Sequence, residues 1–455
     1  MRTWFKKNDR LLDSKTVKRV GIVHPGANID SIPSIMNAVI LLMKNGYKVN
    51  IFTGRDAKHI TPQIKHRDVK IIYTHSDVYC SSIPTIAKLS RICRTKSERG
   101  IYRFILLSLN KINSAFFLIK NSFIPIYIGF SNYYKPYACF IGVDPWGLIK
   151  ANNLVKSVDI PLVYYSLELL FSDEIKDLTY QKIKMKEQEL CNKIEFAITQ
   201  DAERATLLSI ENNIPLDKIV LVPNAPLGLA QRNSNYYWHK RFNLSKRTKV
   251  VLYTGSLGDW TGLDKIIDSI QYWPEDWVFV IHTRYNIDEF SEEDEKLLPL
   301  RRLEQDPSLK NRIFISSNPV HSDEYRQLIS GADIGIALYF QDHRSPLTQK
   351  NLETLGLSSG KIAYYLNAGL PVITNLSSGI GNLLSEYKCG IIIDNIKDIG
   401  RAVVVISDNY GEYSENAQNL FNDRFGVDYA FKQVITRLDT RYQVREKRHT
   451  KSQST

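Results

Sequence analysis

The chain has 455 residues, of which 43% are hydrophobic and 24% charged; this excludes a disordered or membrane-embedded protein and suits two domains of about 200 residues each. A formal net charge of +12 asks for acidic partners, whether nucleic acid, an anionic bilayer or phosphorylated substrates. The basic residues gather in the N-terminal arm, in 88–120 and near the C-terminus, with no zinc-finger spacing and no aromatic RNA-binding strand pair, so nucleic acid is not an expected partner.

The five cysteines (Cys80, Cys93, Cys139, Cys191, Cys389) are scattered without a C-x-x-C pair, so neither a zinc site nor a disulfide framework is indicated and a reducing cytoplasm fits best. No continuous apolar stretch precedes Val20, which speaks against a secretory signal. The most apolar region, Ile101 to Phe130, is broken by Arg103, Lys111 and Lys120 and does not read as a membrane span.

In chain order, 19–25 reads as a buried strand, Gly26 to Pro33 as a loop, and Ile32, Ile35, Met36, Val39, Ile40 and Met43 as one face of a helix that Gly46 stops before strand 48–53. This βαβ unit is the building block of a doubly wound parallel sheet. Further strands are expected at 69–73, 138–143, 162–165, 196–199 and 219–224, with a long helix over 175–193. The polar, turn-rich stretch after Ala225 reads as a linker. A second series begins at 249–255, with a helix near 263–272 and strands at 277–282, 312–316, 334–338, 371–374 and 390–393. The division is a basic arm 1–17, an N-terminal domain 18–230, a linker 231–248, a C-terminal domain 249–425, a crossing helix 426–442 and a disordered basic tail 443–455. Two open α/β domains would face a cleft lined by the carboxyl ends of their strands.

The run from Gly356 through Lys361 to Ile373 is the most informative stretch. It reads as a small-residue turn opening a helix that leads into a buried strand, and such a helix start carries unpaired N–H groups and partial positive charge suited to a phosphate. Lys361 adds a full charge; the same run also serves an ordinary αβ unit with Ser358 or Ser359 as N-cap. It is not a P-loop, since the glycine spacing is one residue short and Ile362 stands where Ser or Thr would hold magnesium. The loop Gly255-Ser-Leu-Gly258 lacks the G-x-G-x-x-G spacing of a dinucleotide site, and the first-domain loop has only Gly26.

Several short motifs agree in order: Tyr253-Thr-Gly-Ser-Leu257 with Trp260-Thr-Gly-Leu-Asp264, Ala332-Asp-Ile-Gly-Ile-Ala337, Leu357-Ser-Ser-Gly-Lys-Ile362, Tyr365-Leu-Asn-Ala-Gly-Leu-Pro-Val-Ile373, and Val222-Pro-Asn224. Together they resemble a GT-B glycosyltransferase of the group 1 type, close to family 4, over all of 250–395 and more loosely over 18–224. The resemblance implies two Rossmann-like domains, a nucleotide diphosphate sugar as co-substrate on the C-terminal one with no other cofactor, and an acceptor on the N-terminal one. It places Gly26, Gly255, Ser256, Ser358, Ser359, Gly360, Lys361 and Tyr364 on the donor side. Such enzymes usually carry two Glu residues where Gly356 and Tyr364 stand, a Lys where Thr261 stands and an Arg where Ser256 stands; Lys361 and Arg284 are the proposed substitutes for the missing cations.

On the acceptor side Asp144 and Glu168 follow apolar strands and His24 ends the first one, positions from which each would orient or deprotonate an acceptor hydroxyl or cap a loop. No Asp-x-Asp motif occurs, so no metal is expected at the diphosphate. The basic, apolar segment 87–128 suits either an anionic membrane surface and a lipid-linked acceptor or two core helices with solvated basic faces. The expected function is retaining transfer to a glycan or lipid-linked acceptor in surface polysaccharide synthesis, in the cytoplasm or at the cytosolic membrane face, with an oligomer compatible with the sequence. A silent scaffold subunit and a nucleotide-sugar epimerase are the alternatives.

Overall fold

A computed structural model describes residues 18–29, 32–55, 66–76, 123–129, 131–132, 136–284, 311–317 and 322–453, with single positions 64, 300, 309 and 320. The first sheet has strands β1 (Arg19–His24), β2 (Lys48–Arg55), β3 (Val69–Ser76), β4 (Tyr137–Val143), β5 (Leu162–Tyr165), β6 (Phe196–Thr199) and β7 (Ile219–Leu221), in the order β3-β2-β1-β4-β5-β6-β7. The second has β8 (Lys249–Thr254), β9 (Trp277–Thr283), β10 (Ile313–Ser317), β11 (Ile334–Ala337), β12 (Val372–Thr374) and β13 (Gly390–Ile392), in the order β10-β9-β8-β11-β12-β13. Both sheets are parallel and turn back on either side of their first strand, so the two doubly wound domains expected from the sequence are present.

The central strands form because they are short apolar runs buried on both faces, as in β4, where every residue from Tyr137 to Val143 is buried. Helix α1 (Pro33–Lys44) has Pro at its first position and ends before Gly46, whose φ of +80° continues no helix. Helices α2 (Asp144–Val155), α3 (Leu178–Cys191) and α4 (Ala202–Asn212) complete the first domain. The long helix expected over 175–193 begins only at Leu178, because the Asp177 side chain caps it by accepting the N–H groups of Thr179 and Tyr180. The last strand stops at Leu221, two residues before Pro223, which has no N–H to offer.

The expected linker 231–248 is not plain coil. It contains α5 (Tyr237–Phe242), whose Trp238 is fully buried and donates from Nε1 to the Leu328 carbonyl at 2.7 Å. The second domain continues with α6 (Leu263–Ser269), α7 (Ser322–Ser330), α8 (Lys350–Glu353), α9 (Gly360–Asn367), α10 (Ile380–Glu386), α11 (Ile399–Asp408) and α12 (Tyr410–Arg424).

The crossing helix is α13 (Val427–Gln453). Val427, Phe431, Val434, Leu438 and Tyr442 form one buried stripe of it against the first domain, and Asp439 takes hydrogen bonds from Lys18 Nζ and Tyr47 OH. The expectation of disorder in 443–455 is corrected as far as Gln453: the helix runs on to that residue, since 427–453 holds no Gly or Pro and is rich in Arg, Lys and Gln, which favour helix. The arm 1–17 and all of 87–122 lie outside the described residues. Among those described, no helix is long and apolar enough to cross a membrane.

Candidate functional site

The donor-side half is assembled where β8 ends and α9 begins. Ser359 is the N-cap of α9; its Oγ accepts the Ile362 N–H at 3.3 Å and pairs with Tyr339 OH at 2.7 Å. By helix geometry the N–H groups of Gly360 and Lys361 have no intrahelical acceptor. Lys361 reaches back beneath Gly255, where a Cβ would stand 3.2 Å from its Cε and 3.5 Å from its Nζ; Gly255, at φ +142°, leaves that path open. The ammonium lies 4.1 Å from the centroid of the Tyr253 ring and 5.4 Å from that of Tyr339. It is buried and has no hydrogen-bond partner among the described residues, and burial pushes its pKa down to about 7.

The two domains meet along one side of this loop. From the first domain, Asn224 donates from its backbone to the Leu357 carbonyl and from Nδ2 to the Ser358 carbonyl, both at 3.0 Å, while Ser34 holds its side-chain oxygen at 2.8 Å. Asp201, the N-cap of α4, accepts the Arg204 N–H on one oxygen and the Leu357 N–H on the other, at 2.9 and 2.8 Å. The fully buried Arg204 donates to the carbonyls of Thr354 and Leu167 and to Asn351 Oδ1. Asn351 in turn donates from Nδ2 to Glu168 Oε2 at 2.6 Å and accepts the Leu169 N–H at 2.9 Å.

These contacts decide what the acceptor-side carboxylates do. Asp144 sits at φ +56°, a conformation that Asp tolerates better than most residues, and its Oδ1 accepts the N–H groups of Leu167 and Glu168 at 2.8 and 3.0 Å. Burial, with Glu168 close by, pushes its pKa up to about 7. Burial also raises that of Glu168, against the opposing pull of Arg204 and Asn351. At β1, His24 Nε2 pairs with Asn28 Oδ1 at 3.1 Å, Nδ1 is buried with no partner among the described residues, and burial lowers its pKa. Asp144 and Glu168 thus have structural bonds that the sequence does not reveal.

Asp144→Asn separates the two roles. Asn keeps both accepted bonds and tolerates positive φ, so a change within about 0.5 kcal/mol is expected below about pH 4, where the wild-type carboxyl is protonated in both states. The wild-type Asp144, its pKa raised from 3.8 to about 7, binds a proton that the unfolded chain releases. Its contribution is therefore full below about pH 4 and lost as pH rises through 7, a slope that the Asn variant will lack in urea unfolding.

Sucrose-phosphate synthase from Thermosynechococcus elongatus superposes with a TM-score of 0.62 at 11% identity, covering 93% of this chain and 99% of that one. HepE from Anabaena, solved with UDP, gives 0.61 at 11% identity over 93% and 100% of the two chains. The chain has the GT-B fold. A glycosyltransferase from Rickettsia africae is similar to this GT-B chain with a TM-score of 0.61 at 12% identity, over 94% and 99%. Residues 316–437, most of the second GT-B domain, match the model of the C-terminal domain of glucosyltransferase 3-like proteins. No curated protein matches the chain in sequence.

Of the expected site residues, the GT-B cleft brings Gly255, Ser359, Gly360 and Lys361 together. Ser256 is tied to them through its carbonyl, which accepts the Tyr253 hydroxyl. Ser358 closes its own turn, its hydroxyl donating to the Leu355 carbonyl. Tyr364 packs edge-on against Tyr325, ring centroids 5.0 Å apart, and exposed Arg284 lies within electrostatic reach of Tyr325. Gly26 belongs to the opposite rim, its carbonyl accepting the Thr53 hydroxyl at 2.7 Å. Sequence reasoning missed Asp201, Arg204, Asn351 and Tyr339; the one available signal was an acidic residue just past the end of a strand, which Asp201, after Gln200, shares with Asp144.

Proposed function

We propose that the protein is a glycosyltransferase that moves a sugar from a nucleotide diphosphate donor to a hydroxyl of a glycan or lipid-linked acceptor, with retention at the anomeric carbon, as in family 4. The observation that carries this reading is Lys361, a buried ammonium with no hydrogen-bond partner among the described residues, set at the first turn of α9. A cation left uncompensated in a low-dielectric site is costly unless a ligand brings the opposite charge. A diphosphate supplies it, and the N–H groups of Gly360 and Lys361 would donate to the same oxygens. As the glycosidic bond breaks, negative charge grows on the leaving diphosphate, where a fixed ammonium and aligned amides stabilise it without reorganising. Protein cations then do the work of a metal, in keeping with the lack of an Asp-x-Asp motif.

That HepE has been solved with UDP-glucose makes uridine diphosphate glucose the first donor to try. The acceptor-side residues Asp144, Glu168 and His24 are assigned the orientation of the acceptor hydroxyl, as retaining transfer leans more on donor placement than on a strong base. Surface polysaccharide assembly on the cytosolic membrane face is the setting this acceptor class suggests.

A thermal-shift screen against uridine, guanosine and adenosine diphosphate sugars tests the reading. A donor at 100 times its Kd stabilises the folded state by about 2.7 kcal/mol, a shift of several degrees. One base should stand out, and release of its diphosphate in the presence of acceptor should follow; no shift with any donor would sink the assignment. The positions Gly356 and Tyr364, without the usual acids, favour one other reading, a subunit that binds donor but never turns it over. A clear shift with no diphosphate release across an acceptor panel would select it.

A further inference from the structure

A cavity of about 440 Å³ lies in the first domain between α2, α3, β3 and the segment 123–129, within the range of about 300–1,000 Å³ typical of small-molecule sites. Pro125, Trp146, Ile149 and Ile183 make its walls apolar. One cation enters it. Lys150 donates from Nζ to Thr74 Oγ1 at 2.7 Å, no carboxylate lines the cavity among the described residues, and burial lowers the lysine pKa.

The cavity shares the carboxyl-end rim of the first sheet with the Gly26 loop. Thr74 Oγ1 donates to the Thr53 carbonyl at 3.2 Å, and Thr53 Oγ1 donates to the Gly26 carbonyl at 2.7 Å. Three hydrogen bonds thus step from the Gly26 loop to the cavity lysine. Trp146 stands two residues beyond Asp144 and is braced edge-on by Tyr180, ring centroids 5.9 Å apart. At the outer side, the segment that supplies Pro125 also exposes Phe123 and Ile126, 62% and 65% accessible, an apolar approach to the opening.

We propose that this cavity holds the apolar chain of an amphiphilic acceptor and that Lys150 meets the acceptor's anionic group. An apolar slot accepts methylenes at about 0.8 kcal/mol each, and an ammonium without an acidic partner selects a negative head over a neutral one. The glycan hydroxyl would then project toward His24 and Asp144. The acceptor role rests on the glycosyltransferase reading, whereas binding of the chain is a property of the cavity and can be measured without turnover.

The test is titration calorimetry of the full chain with dodecyl phosphate below its micellar concentration, beside dodecyl maltoside, inorganic phosphate, and phosphatidylcholine vesicles with and without phosphatidylglycerol. One saturable site for dodecyl phosphate is expected, about tenfold tighter than for the neutral maltoside, with no binding of inorganic phosphate. Ile183→Trp should abolish chain binding, and Lys150→Met should erase the tenfold preference while leaving the maltoside unchanged, so the claim stands or falls even if the tryptophan variant misfolds. Binding equal in all three proteins, or seen only with anionic vesicles, would overturn the site. A uridine diphosphate thermal shift on the same samples keeps the two readings apart: a shift without chain binding removes the cavity proposal alone, and chain binding with no nucleotide shift removes its acceptor role.

Discussion

Lys361→Met is expected to stabilise the empty protein and to cripple donor binding at once. The lysine is carried at a pKa of about 7 instead of 10.5 because its ammonium is buried, with no hydrogen-bond partner among the described residues. Between those two values the unfolded chain holds a proton that the folded chain has released, so the penalty is full below about pH 7 and fades as pH climbs toward 10.5. At neutral pH the penalty is on the order of 4 kcal/mol, and a methionine of similar length removes it, raising Tm and flattening its rise with pH. Diphosphate affinity moves the other way, falling by about 30- to 100-fold with the loss of a charge-assisted bond in a dry site. The wild-type affinity carries its own signature. Bound diphosphate restores the proton to Lys361, so affinity is constant below about pH 7 and falls by up to about tenfold per pH unit above it. Calorimetry with uridine diphosphate at pH 6, 7.5 and 9 checks this; equal affinities and equal slopes for wild type and variant would remove Lys361 from the donor site.

The contrast between Lys361 and its surroundings shows which parts of such a site a sequence displays. Lys361, Ser359 and Gly360 are legible because a helix start is local: an N-cap, two small residues and a cation within one turn. The strands are legible for a related reason, each being a short apolar run between polar or glycine breaks, as at 162–165 and 196–199, whose limits agree with β5 and β6. Asp201, Arg204 and Asn351 are not legible, because their meaning comes from partners 147 to 183 residues away. Glu168 illustrates the cost. As a carboxylate after a strand it reads as a cleft acid, and only the fold reveals that Asn351 of the other domain holds one of its oxygens. The tail failed differently: polar composition reports solvation, and a solvated stretch without Gly or Pro is free to continue a helix that is already anchored.

Gly356→Ala is expected to destabilise the protein by on the order of 2–4 kcal/mol, a large effect for one methyl group. Two observations set it. Gly356 has φ +46°, and a Cβ there would stand 2.2 Å from Asp201 Oδ2 and 3.0 Å from its Cγ. Gly379 closes the other side, since its own Cβ would stand 3.3 Å from Gly356 Cα. The carboxylate of Asp201 fills the space that a side chain at 356 would take, and it cannot retreat without giving up the N–H groups of Leu357 and Arg204. Gly356→Glu, which restores the acid usual in the family this chain resembles, should therefore be worse than Ala, because it sets a second carboxylate against the first. Asp201→Ala should cost about 1–2 kcal/mol alone through the lost cap, and its cost should shrink or reverse in the Gly356→Glu background, since it then relieves the overlap. Urea unfolding of the four proteins of this cycle measures the coupling, expected at about 1–3 kcal/mol. Strict additivity would mean that Asp201 does not hold that space, whereas strong coupling would mean that the acid missing from 356 has a counterpart supplied by the opposite domain, tying the donor loop to closure of the cleft.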